Sequence, residues 1–163
     1  MNKGQSPLIE QGLDGLINKA VKDKRLLATT FAKEAVLKTD ICMVCVGTPS
    51  NESGAIELGH LKKAVGQIGD ALRCSDRFYT IVIRSTVLPG TTEEILIPIL
   101  ESASRKKAGK GFGVCVNPEF MREGNSLEDF YNPAKTIIGV CSKKEEAILK
   151  KLYGFLKAPF VAA

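Results

Sequence analysis

The sequence predicts one α/β domain with a mainly parallel sheet, and two alternating rhythms carry that expectation. Four short runs rich in β-branched residues (41–46, 79–84, 112–116 and 136–140) are near-continuously apolar, as strands covered on both faces are. Stretches with helical spacing lie between them, and parallel neighbours require such crossovers. A length of 163 residues suits a single domain, residues 1–163, with a real core and no room for a second of ordinary size.

Each element follows from its local pattern. Residues 8–21 read as a helix despite Gly12 and Gly15, 26–29 as a short strand and 32–37 as a short helix. After the 41–46 run, Leu61, Ala64, Val65, Ile68, Ala71 and Leu72 fall at the spacing of one helical face. A second long helix spans 91–104, with Glu93 and Glu94 in the first turn, where carboxylates suit the helix dipole. Pro98 lies within it and predicts a kink. The last helix runs over 142–157, with Ser142 as its cap and Ile148, Leu149, Leu152, Phe155 and Leu156 on the apolar side. Glu52-Ser53-Gly54 is a turn in a surface loop, and no internal repeat, low-complexity tract or domain linker interrupts the series.

Composition narrows the function classes. With 44% hydrophobic and 25% charged residues, the chain has the balance of a soluble globular protein. No run approaches the roughly 20 apolar residues of a membrane span. The opening Met1-Asn2-Lys3-Gly4-Gln5-Ser6-Pro7 lacks the apolar centre of a signal peptide, so a cytoplasmic location is the default expectation. The net charge of +5 raises nucleic-acid binding. Its densest clusters are Arg105-Lys106-Lys107 with Lys110, Lys143-Lys144 and Lys150-Lys151, and they have few aromatic residues between them, so solvated faces are expected and no nucleic-acid site. Five cysteines without a secretion signal read as reduced thiols. Cys42 and Cys45 form a C-x-x-C, but inside an apolar strand and with no second pair, so they read as core and not as a redox or zinc pair. No metal site is expected. The single histidine, His60, opens a helical pattern and reads as a surface or cap residue.

In an open parallel sheet, ligands bind beyond the carboxyl ends of the strands. Three such ends carry polar residues. In Gly47-Thr48-Pro49, Gly47 lets a ligand approach the backbone and Thr48 offers a hydroxyl, yet the segment alone reads more readily as a strand ended by Gly and Pro. In Arg84-Ser85-Thr86-Val87-Leu88-Pro89-Gly90-Thr91, two hydroxyls follow a buried strand and a helix start follows them; a ligand site and a capped loop fit equally. In Asn117-Pro118-Glu119-Phe120-Met121-Arg122-Glu123-Gly124, a short helix would bring Glu119 and Glu123 to one side. One carboxylate would then relay a proton while the other binds hydroxyls, against the plainer reading of two exposed acids beside Arg122.

Taken together, these segments and Gly4-Gln5-Ser6-Pro7-Leu8-Ile9-Glu10 resemble, in order and interval, the N-terminal domain of the UDP-glucose/GDP-mannose dehydrogenase family. The likeness covers nearly the whole chain. Lys106-Lys107-Ala108-Gly109 and Phe112-Gly113-Val114, with the segment from Arg84 to Gly90, are more similar to the GDP-mannose branch, with UDP-glucose as the alternative. The resemblance implies a Rossmann-like NAD-binding fold. It implies oxidation of a nucleotide sugar's primary alcohol to a carboxylate, with two hydrides passed to two NAD and a cysteine holding the intermediate until water releases it. It implies Thr48 and Thr86 at NAD, with Thr86 also positioning water. Glu119 is implied in proton transfer or hydrolysis and in substrate contact, and Glu123 in cofactor or substrate contact. Intact members are expected to be homo-oligomers.

The departures are as informative. No G-x-G-x-x-G occurs anywhere in the sequence, so the family's first strand–helix–strand unit, with its pyrophosphate turn and ribose carboxylate, is expected to be lacking. None of the five cysteines matches the family nucleophile in context; Cys115 comes nearest but lies in a strand run. The expectation is a fragment of the NAD-binding domain, cut at both ends and inactive alone. A non-catalytic binding module and a structural remnant are the rival readings.

Overall fold

In the computed structural model, which describes residues 1–140 and 142–163, a five-stranded sheet runs in the order β1-β2-β3-β4-β5. The strands are β1 (Ile41–Val44), β2 (Tyr79–Ile83), β3 (Phe112–Val116), β4 (Thr136–Val140) and β5 (Phe160–Ala162). The helices are α1 (Leu13–Lys22), α2 (Ala32–Leu37), α3 (Gly59–Leu72), α4 (Ile97–Ser104), α5 (Ser126–Tyr131) and α6 (Lys143–Tyr153). The mainly parallel α/β expectation holds. β1, β2 and β3 are parallel, with Cys42 opposite Ile81 and Ile81 opposite Val114. β4 is antiparallel to β3, because the segment between them turns through α5 at the same end of the sheet and makes no crossover. α6 then crosses over, and β5 pairs parallel with β4.

Alternation along the strands divides the core into two layers. Val44, Ile81, Ile83, Phe112 and Val114 are covered by Leu61, Val65, Ile68 and Leu72 of α3, Leu100 of α4 and Leu96 just before α4. On the other face Val82, Cys115 and Ile138 meet Leu149 of α6. All five β2 residues are buried, as the continuous apolar run predicts. Two glycines allow close approaches. A Cβ at Gly69 would stand 2.7 Å from the Ala103 Cβ, where α3 meets α4. A Cβ at Gly113 would stand 2.6 Å from Cγ of Glu145, whose residue is 1% exposed at the start of α6. Ser142 caps α6 as expected, its Oγ accepting from the Lys144 amide at 3.2 Å and donating to the Glu145 carboxylate.

Several boundaries differ from expectation for local reasons. α1 starts only after Gly12, whose φ of 84° is left-handed, so Leu8 and Ile9 stay outside it and exposed. The predicted 26–29 strand does not form. The backbone of Ala28 is bonded by a side chain: Asn2 Nδ2 donates to its carbonyl at 2.8 Å and Asn2 Oδ1 accepts its amide at 2.7 Å. The kink predicted at Pro98 takes the form of a π-helical turn over Thr92–Leu96, which leads into α4 and accommodates the missing proline N–H. α6 ends at Tyr153, and Phe155 lies beyond it, 60% exposed and off the apolar face. Residues 117–125 are not helical; the helix follows, as α5. β5 was not expected.

Several of the clustered lysines have local partners. Lys143 and Lys150 both pair with Glu146, Lys107 pairs with Glu101, and the Lys144 ammonium lies over the Phe78 ring. His60 is exposed at the second position of α3. Cys42, Cys45 and Cys74 carry free thiols, and Cys141 lies outside the described residues. Among the described residues, no helix is long and apolar enough to cross a membrane.

Candidate functional site

The carboxyl ends of β1, β2 and β3 bring the three predicted segments to one edge of the sheet. The loops after β1 and β2 are joined by hydroxyls. Thr48 Oγ1 donates to the Thr86 carbonyl at 2.9 Å, and Ser85 Oγ donates to the Val46 carbonyl at 2.7 Å. Ser85 thus serves the backbone, while the Thr86 residue stays exposed and the space above Gly47 is open. Thr91 and Thr92 are buried at the start of the π-helical turn.

The third segment leaves β3 through Asn117, which is 2% exposed. Its amide donates to Ile83 at 2.9 Å, and its Nδ2 donates to Ile137 at 2.8 Å. Its Oδ1 accepts from Arg84 and from the Tyr153 hydroxyl, each at 2.6 Å. Two residues on, Glu119 is exposed, and its Oε2 accepts from the Met121 amide at 2.7 Å. The expected helical pairing of Glu119 with Glu123 is therefore corrected. The loop turns on itself because Glu119 bonds forward to a backbone amide, an interaction that competes with helix. Glu123 is exposed on the same loop.

The far end of this loop is fastened twice. Arg122 grips Asp129 of α5 through Nε at 3.0 Å and Nη2 at 2.7 Å, and its hydrogen bonds hold the Asp129 carboxyl well below the usual carboxylate range. Glu10, from the N-terminal segment, accepts from the Ser126 amide at 2.7 Å and its hydroxyl at 3.3 Å, so it caps α5. Between the loop, α5 and the start of β4 lies a cavity of about 480 Å³, with Arg84, Asn117, Glu119, Phe130, Lys135 and Tyr153 in its walls. Tyr153, Glu10 and Asp129 were missed as site residues. Tyr153 falls four residues after Leu149 on the buried face of α6, a placement at which a tyrosine needs a partner for its hydroxyl, and that was the available signal.

The Cys42 and Cys45 thiols are not activated. Burial pushes Cys42 up to about 11, with Cys45 adding to the effect. Burial also raises Cys45, against a lowering by Arg84. Cys115 is fully buried in β3. Cys42 and Cys115 fit core packing, whereas Cys45 lies just past the end of β1 and is exposed, which corrects the core expectation for that residue. With raised pKa values, neither Cys42 nor Cys45 is tuned for nucleophilic or redox use.

Residues 1–157 match the family model described as the NAD binding domain of the UDP-glucose/GDP-mannose dehydrogenase family. The chain belongs to that family. Among dehydrogenases of this family, the GDP-mannose 6-dehydrogenase of Azotobacter vinelandii is 47% identical over 161 residues, covering 99% of this chain and 37% of the relative. The UDP-glucose 6-dehydrogenase of Haloferax volcanii is 37% identical over 153 residues, covering 94% of this chain and 35% of the relative. The crystal structure of a ternary complex of GDP-mannose dehydrogenase from Pseudomonas aeruginosa superposes with a TM-score of 0.97 at 42% identity, over 99% of this chain and 37% of that one. A UDP-glucose dehydrogenase from Pyrobaculum islandicum gives 0.92 at 34%, with the same coverage. The chain thus spans a little over a third of the length of the family dehydrogenases it matches.

Proposed function

We propose that this chain forms the NAD-facing part of a nucleotide-sugar 6-dehydrogenase of the GDP-mannose to GDP-mannuronate type. The observation that carries the proposal is the Thr48–Thr86 hydrogen bond, which joins two loops at the strand ends beside the Glu119 loop. Higher identity to the GDP-mannose relative, 47% against 37%, favours that substrate over UDP-glucose.

The residues present fit part of an NAD site. Gly47 leaves open space at the end of β1, and Thr48 and Thr86 supply hydroxyls next to it. NAD, when bound, supplies the hydride acceptor. Thr48 and Thr86 would hold it, with Thr86 also orienting water. Glu119 would take a proton from that water and contact the sugar, and Glu123 would contact cofactor or substrate. The protein family's chemistry needs a thiol nucleophile; Cys42 and Cys115 are packed in the sheet and burial raises the Cys45 thiol, so none of these three suits that role.

The test is a chimera in which this chain replaces the matching segment of the Azotobacter vinelandii enzyme. NADH formation from GDP-mannose in preference to UDP-glucose is the expected result. Preference for UDP-glucose would move the substrate assignment, and a folded chimera that binds no NAD would sink the proposal.

A further inference from the structure

We infer that Tyr153 and Arg84 are positioning residues for Glu119, acting through the side chain of Asn117. The role given to Glu119 rests on the function proposed above; the positioning itself rests on geometry.

Asn117 is where four elements meet. Its backbone amide is held by the end of β2 and its Nδ2 by Ile137 of β4. Its Oδ1 is held by Arg84, which follows β2, and by Tyr153 at the end of α6. Arg84 also reaches the Tyr153 hydroxyl at 3.3 Å, closing a triangle. Every side-chain polar atom of this buried amide is therefore bonded, which leaves it one orientation. Pro118 comes next, with its φ fixed by the ring, so the direction set at Asn117 passes on to Glu119.

Packing alone does not account for this arrangement. A phenylalanine at 153 would fill the same space, yet the hydroxyl is present and aimed at Oδ1. A phenol is already protonated at neutral pH, and burial raises the Tyr153 pKa further, so its hydroxyl has a proton to donate. Among the described residues, no carboxylate lies within ion-pair distance of Arg84, so this half-buried cation spends its Nη1 donor on neutral oxygens. A half-buried charge without a counter-ion is costly to stability. It is retained here at the foot of the loop that carries the acid.

The test is backbone ¹⁵N relaxation on the 163-residue chain. The variants are Tyr153→Phe, Arg84→Met and the double variant. Residues 119–121 should give order parameters near the rigid value of about 0.85 in the unmodified chain and fall below about 0.6 in the double variant. Tyr153→Phe alone should give an intermediate drop, and β2 and β3 should stay rigid in all three variants. Unchanged order at 119–121 in the double variant would overturn the inference. A loss spread equally through the sheet would also overturn it, because that is the signature of a general packing role. Relaxation requires neither NAD nor sugar, so failure here leaves the chimera result to judge the proposed function separately.

Discussion

Thr48 donates its hydroxyl proton to the carbonyl of Thr86 across 2.9 Å and 38 residues of sequence. Neither loop alone distinguishes a ligand site from a strand terminator. The bond between them makes one surface at the ends of two parallel strands, where an open sheet takes its ligands.

Removing that bond should be measurable in the chain itself. Thr48→Val keeps the shape and leaves the carbonyl to water, and should lower the unfolding free energy by about 1 kcal/mol. Thr48→Ser should stay within a few tenths. Urea denaturation of the three proteins checks this, and equal midpoints for valine and threonine would show the bond contributes nothing.

The α3–α4 contact depends on Gly69. Its Cβ would sit 2.7 Å from Ala103 Cβ and 3.2 Å from the Leu100 carbonyl, with a helix backbone on both sides. Gly69→Ala should therefore destabilise by about 1–3 kcal/mol despite alanine's better helix propensity. Thermal unfolding at matched concentration is the measurement; a rise in midpoint would mean the helices separate freely.

Acid sensitivity has a definite window at Glu146. Hydrogen bonds from Lys150 and then Lys143 hold its pKa down to about 2. An unfolded glutamate titrates near 4.3, so the unfolded chain binds more protons between these values. The stabilisation is complete above about pH 4.3 and is lost as pH falls through about 2. Asp129, held low by Arg122, adds a loss in the same direction. Glu146→Gln should flatten the dependence of the urea midpoint on pH in this range and leave it unaltered near neutrality. An identical acid slope in the variant would refute the assignment.

Among the described residues β1 pairs only with β2, and Met43 on it is 38% exposed. An open edge strand with apolar side chains invites pairing with another chain. Sedimentation should show the chain associating as its concentration rises, and Met43→Lys should shift that association to higher concentration. Concentration-independent monomer in both proteins would count against the edge as a contact.

Much of this fold can be read in the sequence because it is local. The spacing of Leu61, Val65, Ile68 and Leu72 defines α3, the run at 79–83 defines β2, and Ser142 with Glu145 marks the start of α6. What escaped depends on partners distant in sequence. Residues 26–29 have strand composition, but a strand needs a ladder, and Ala28 is bonded by Asn2. Glu119 and Glu123 have helical spacing, but a side-chain bond to the Met121 amide turns the loop. Thr48 and Thr86 could be singled out as polar residues at strand ends, whereas their bond could not. Tyr153 lies 36 residues from Asn117 and Glu10 lies 116 from Ser126, so no local pattern announces either contact.

The most direct measurement of the central claim is the NADH yield with GDP-mannose of the Azotobacter vinelandii chimera, with this chain unmodified and with Glu119→Gln. The unmodified chimera should turn over. The variant should lose about 10²–10⁴-fold in steady-state rate, the usual worth of a positioned acid–base group, with NAD affinity retained. A folded chimera that forms no NADH, or a Glu119→Gln variant as fast as the unmodified protein, would contradict the account.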